Sequence, residues 1–136
     1  ASSAASDVYK RQTWELARMY EFSFPVLFSV VLGHVGAAPA EEEVLKYMVQ
    51  YINNSFKDQK AIWGITHAKR TDFDLINIAI AMGAATVRLG FEDSNYGSKE
   101  QVCYNWEIIK EFKEVCRNNE TEFMNVNEAR NLLNII

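Results

Sequence analysis

The chain has 136 residues, 49% hydrophobic and 24% charged, with a formal net charge of −4 and a pI near 5.2. That length suits one modest domain with its own core. The acidic balance argues against nucleic-acid or membrane-surface binding as the main role, and no apolar run approaches the ~20 residues of a membrane span.

Cys103 and Cys116 fall on one predicted helix and cannot pair with each other, and the short Cys and His spacings of a structural zinc site are absent. A reducing, cytoplasmic setting is expected. Residues 1–12, ASSAASDVYKRQ, are small and polar, then basic, without the hydrophobic core of a signal peptide. They are set apart as a non-native or disordered leader, which leaves residues 13–136 as the folded portion. Thr13 to Tyr20 reads as the last turns of a helix. Pro25 to Leu32 is a strand apolar on both faces, as suits a parallel strand covered on both sides. Gly33, Gly36 and Pro39 punctuate the loop after it. A helix begins near Ala40, with Glu41, Glu42 and Glu43 complementing its macrodipole. Val44, Leu45, Met48, Val49 and Ile52 give that helix its apolar stripe.

Asn53 to Lys60 is a polar connection, and Ala61 to Thr66 a second apolar strand. His67, Lys69, Arg70 and Thr71 form a polar loop. Thr71 with Asp74 has the pattern of a capping box opening a helix, whose stripe is Leu75, Ile78, Ala79 and Met82 and which Gly83 ends. Thr86 to Phe91 is the third strand. Ser98 and Gln101 have the pattern of another capping box, and Val102, Trp106, Ile109, Phe112 and Cys116 follow at helical spacing. A last helix follows Asn125, with Glu128 at its third position and Ala129, Leu132, Leu133 and Ile136 facing inward. Strand–helix repeated three times, without hairpin signals, is α/β with a parallel sheet. Three strands are few for a doubly wound domain. An eight-unit (β/α)8 TIM barrel takes about 250 residues, so three βα units plus a terminal helix would be the C-terminal part of a single barrel domain.

The stretch TVRLGFEDSNY, Thr86 to Tyr96, concentrates the chemistry. Along an extended strand Arg88, Gly90 and Glu92 share one face, while Val87, Leu89 and Phe91 share the other. Buried charges need a partner or a metal. Read from the strand alone, a structural Arg–Glu pair and a catalytic or ligand cluster stand level.

The segments VLGHVGAAPA at 31–40, IWGITHAKR at 62–70 and VRLGFEDSNY at 87–96 resemble the β-keto acid cleavage enzymes, the family of the 3-keto-5-aminohexanoate cleavage enzyme of lysine fermentation. The closing MNVNEARNLL is similar to the family's last helix. The resemblance implies a zinc-dependent TIM barrel that converts a β-keto acid and acetyl-CoA to acetoacetate and a CoA thioester. It implies Glu92 as a zinc ligand, Asp93 as general base, and Arg88 as its partner in a charge cluster with an early-strand glutamate. Gly90 would leave room inside the barrel.

Two further zinc ligands, a His-x-His pair, would lie upstream, so this chain alone is expected to be inactive; His34 and His67 are too far apart to be that pair. Two departures stand out. Ser94 follows Asp93 where the family more often has asparagine, and Ala37-Ala38 replaces a second glycine. Lys69 and Arg70, in the loop before a helix, are weak candidates for the CoA phosphates, against solvated surface charge. His67 reads as a solvent-facing loop residue, and His34 as a residue that could line the pocket. Trp63 and Trp106 read as core or subunit contact, and Cys103 as a poor nucleophile. A homo-oligomer is expected of the intact protein. The readings held against this one are a non-catalytic α/β assembly module with a structural Arg–Glu pair, and another metal-dependent aldolase-like barrel.

Overall fold

A computed structural model describes residues 25–57 and 61–135 together with Gln12, Glu15, Leu16, Met19 and Tyr20. The leader lies outside the described residues except for Gln12. Of the helix expected over Thr13 to Tyr20, Glu15, Leu16 and Met19 are helical, and Leu16, Met19 and Tyr20 are exposed.

Strand β1 (Val26–Leu32) leads through a glycine-bearing loop to helix α1 (Glu42–Ser55). The expected stripe holds: Leu45, Met48, Val49 and Ile52 are buried. Asn53 to Ser55 continue the helix, and Phe56 is core, its ring 4.9 Å from that of Phe28. The expected polar connection is therefore shorter than its composition indicates. Strand β2 (Ala61–His67) and helix α2 (Asp74–Ala81) follow. Thr71 does not cap α2; its hydroxyl donates to Asp72, and it is Asp72 Oδ1 that accepts the Asp74 N–H at 3.0 Å. Gly83, with φ of 94°, follows the helix as expected.

Strand β3 is only Thr86–Arg88. It was expected to run to Phe91, but the N–H groups of Asp93 and Ser94 both donate to the Gly90 carbonyl at 3.0 Å, so the chain turns just past Arg88. Phe91, expected to be packed under helices, is 43% exposed. Helix α3 (Asn105–Asn118) starts later than the Ser98–Gln101 pattern indicates, because the Glu107 carboxylate accepts the N–H groups of Cys103 and Tyr104, each at 2.9 Å. Ile108, Phe112 and Cys116 are its buried side, whereas Trp106 and Ile109 are exposed. Helix α4 (Val126–Leu133) has the predicted cap: Asn125 Oδ1 accepts from Asn127 and Glu128, and Glu128 accepts the Asn125 N–H. Ala129, Leu132 and Leu133 are only half-buried, and Ile136 lies outside the described residues.

The three strands are parallel in the order β1-β2-β3, with Phe28 beside Trp63, Val30 beside Ile65 and Ile65 beside Val87. These side chains and Leu32 point to the helices and pack with α1, α2 and α3 into one core. Each buried aliphatic residue there contributes roughly 1.5–3 kcal/mol by leaving water. Alternation puts Leu27, Ser29, Val31, Ile62, Gly64, Thr66, Thr86 and Arg88 on the other face. Of these, Val31, Ile62 and Thr66 are buried, while Leu27, Ser29, Thr86 and Arg88 are exposed. The sheet thus has a sealed helix side and a partly open side that carries the arginine. This is the α/β parallel architecture expected, and it is compatible with part of a barrel.

Candidate active site

Parallel strands deliver all their C-terminal loops to one end of the sheet, and it is there that the chemistry-bearing side chains meet. Arg88 is the last residue of β3, and the turn through Gly90 carries Glu92 back to it. Their side chains form an ion pair, with Arg88 43% and Glu92 78% exposed. The pair was expected to be buried on a common strand face. It is instead an exposed contact made across a turn. A pair so exposed contributes at most about 1 kcal/mol, which weakens the structural Arg–Glu reading.

Asp93 is the buried member, its side chain 2% exposed. The His34 Nε2 lies 3.1 Å from its Oδ1, and the Arg88 Nε lies 3.3 Å from its Oδ2. The latter is a charge contact without hydrogen-bond geometry, so Oδ2 is a buried oxygen with no hydrogen-bond partner. Such a group costs roughly 1–3 kcal/mol, and each one in a folded protein calls for an explanation, a catalytic role among them. Gly90 is not forced by space, since a Cβ there would meet only the Asn105 Oδ1, at 3.7 Å.

The backbone under Asp93 is tied to the loop after β2. The Lys69 N–H donates to the Asp93 carbonyl at 2.7 Å, and the Ser94 hydroxyl donates to the Arg70 carbonyl at 2.6 Å. Lys69 reaches this geometry at φ of 56°, a left-handed conformation that costs a residue with a side chain about 1–2 kcal/mol. Arg70 is 2% exposed, donates from Nη1 to the Gly97 carbonyl at 3.1 Å, and lies 4.5 Å over the Phe73 ring. Burial lowers its pKa, against the opposing charges of Asp72, Asp93 and Glu111. Neither solvated charge nor a phosphate contact describes Arg70; it is an internal brace between two loops. Lys69 is exposed.

His67 also departs from expectation. It is half-buried, and its register with Leu32 puts it on the helix-facing side of the sheet. Its Nδ1 is buried without a partner, and burial lowers its pKa, with Asp72 opposing and Arg70 adding to the shift. Trp63 is core and Trp106 is exposed, stacked with Tyr104 at 6.4 Å. Both cysteines are free, Cys103 exposed just before α3 and Cys116 buried within it. A surface groove of about 480 Å³ beside Asp72, Phe73, Ser98 and Lys99 adjoins this end of the sheet, but Arg88, Glu92 and Asp93 do not line it.

The sequence named His34 as a residue that could line the pocket and Arg70 as a phosphate candidate, but carried no signal of the His34 contact with Asp93 or of the Arg70 brace. Both lie within three residues of the C-terminal end of a strand, the position that a parallel sheet brings next to Asp93. Among the described residues no three His, Cys, Asp or Glu side chains group as a metal site. As an exposed carboxylate at a strand's C-terminal end, Glu92 fits one ligand position of a mixed nitrogen–oxygen zinc site, and the described residues offer no complete set.

A parallel α/β sheet with a buried, half-satisfied aspartate and an arginine–glutamate pair at the C-terminal ends of its strands has the layout of an α/β enzyme. The sequence matches the profile of the beta-keto acid cleavage enzyme family over residues 5–135, and the chain belongs to that family. Comparison with curated proteins finds no match. Among the described residues no helix is long and apolar enough to cross a membrane.

Proposed function

We propose that the chain is the C-terminal part of a (β/α)8 barrel that joins a β-keto acid and acetyl-CoA to give acetoacetate and a new CoA thioester. The observation that carries this is Asp93: a buried carboxylate with one oxygen unbonded, flanked by Arg88 and Glu92, at the catalytic end of a parallel strand. In this reading Glu92 holds zinc together with histidines supplied from upstream sequence. Zinc, when bound, acts as a Lewis acid toward the keto acid's oxygens. Asp93 takes a proton from the substrate, and Arg88, 3.3 Å from its Oδ2, aims the carboxylate. Lys69, the exposed cation beside the site, is the remaining candidate for the CoA phosphates. A reducing cytoplasmic setting and a homo-oligomeric intact protein belong to the same proposal.

The sheet supports the barrel reading, because its side away from the helices carries Arg88 and small residues such as Gly64 and Ser29, the pattern of an interior wall. An aldolase-like barrel would keep the metal and change the reaction, and an assembly module would need neither. The deciding experiment is a panel of β-keto acids with acetyl-CoA, applied to the intact protein with its zinc content measured. Acetoacetate and a matching CoA thioester are expected. Zinc binding without acetoacetate would point to the aldolase-like reading, and neither zinc nor turnover to the assembly module.

A further inference from the structure

Resting on that reading, we infer that His34 is a positioning residue that gives the two oxygens of Asp93 different tasks, holding Oδ1 so that Oδ2 receives the substrate proton. A carboxylate only accepts hydrogen bonds, so the His34 nitrogen 3.1 Å from Oδ1, Nε2, must be the one carrying hydrogen in this contact. Rotation of the carboxylate would exchange its oxygens, and the His34 contact opposes that rotation. Oδ2 remains buried with no hydrogen-bond partner, and Arg88 supplies charge to it from 3.3 Å.

The backbone around His34 is fixed in its own right. Gly33 adopts φ of 81°, its N–H donates to the Ala38 carbonyl at 2.9 Å, and the Ala37 N–H donates to the His34 carbonyl at 3.0 Å. A Cβ at Gly33 would meet the Ala68 carbonyl oxygen at 2.5 Å, so this loop is pressed against the one after β2. The His34 side chain is 38% exposed, whereas that of Asp93 is 2% exposed. In the proton step the substrate keeps its bonding electron pair, the proton goes to Oδ2, and Asp93 becomes a neutral acid still bonded to His34 through Oδ1.

The test uses the intact protein. His34→Val removes the donor, whereas His34→Gln keeps an N–H donor near the same place. His34→Val should lower kcat by about 10-fold or more, with KM within about twofold of wild type and bound zinc unchanged, and His34→Gln should recover most of the loss. Wild-type turnover in His34→Val, equal loss in both variants, or a loss carried by KM overturns the proposal. Nitrogen-15 NMR of histidine-labelled protein gives a reading that does not depend on activity. The His34 signals, assigned by their disappearance in His34→Gln, should report hydrogen on Nε2 and should shift in Asp93→Asn. A bare Nε2, without hydrogen, overturns the proposal even where His34→Val fails to fold. An intact protein without cleavage activity overturns the proposed function and the proton role together, while the NMR result still reports whether the contact exists.

Discussion

The Glu92 side chain is 78% exposed and the Asp93 side chain 2% exposed, although one peptide bond joins them. The turn through Gly90 produces this contrast, sending one carboxylate outward beside Arg88 and the other inward beneath His34. In the proposed function the metal ligand must be reachable, and the base must be held in place. In the intact protein, Glu92→Gln should therefore lose zinc and activity together, measured as metal content and turnover on the same preparation. Asp93→Asn should retain zinc while turnover falls by about 10²–10⁴-fold; loss of metal there would show that Asp93 is not purely a base. His67 acts at the same scale on stability instead. Burial holds its pKa below the ordinary value of about 6.5, so the unfolded chain binds the proton more readily. Its contribution is complete above that value and is lost as pH falls through the lower, folded value. Urea midpoints at about pH 7.5 and about pH 5.5 should differ by less in His67→Gln than in the parent protein; an unchanged difference would overturn this.

The close approach of β2 and β3 rests on Gly64. A Cβ there would meet the Thr86 carbonyl oxygen at 2.5 Å and the Thr86 Cβ at 3.0 Å, and a strand backbone cannot retreat as a flexible side chain can. Gly64→Ala should destabilise the protein by roughly 1–3 kcal/mol, read as a fall in the urea midpoint; an unchanged midpoint would show that the strands can separate. The elements legible in the sequence were those with a local physical signature. The stripe from Val44 to Ile52 marks α1, the apolar run at 61–66 marks β2, and Asn125 with Glu128 marks the start of α4. The third strand was overextended because alternation continues through Phe91 on paper. Nothing in that pattern reports that Asp93 and Ser94 will donate to Gly90 and end the strand. The start of α3 was misplaced for a related reason: Ser98 and Gln101 have the spacing of a cap, but the Glu107 carboxylate takes the role. Of the site, the three charged residues were legible through the family motif. The depth of Asp93 and its bond to His34, 59 positions away, depend on how the loops pack and have no local signature.

On the scale of the whole chain, β1 and β3 are both edge strands among the described residues, and the sheet face opposite the helices leaves Leu27 44% exposed. Unpaired edges and uncovered apolar surface favour association with other chains. The 136-residue chain on its own should self-associate in light scattering; a compact monomer with cooperative unfolding would show that its surfaces are already satisfied. The brace between the loops after β2 and β3 sets a further limit on the molecule. Asp93 hangs from the Lys69 N–H, and Ser94 and Gly97 are bonded to Arg70 on its carbonyl and guanidinium sides. Loops ordinarily vary in length without cost to the scaffold, but these two share a common gauge. Adding or removing one residue between Ala68 and Arg70 would move Asp93 itself, so in the proposed function the spacing from His67 to Arg70 matters as much as the aspartate.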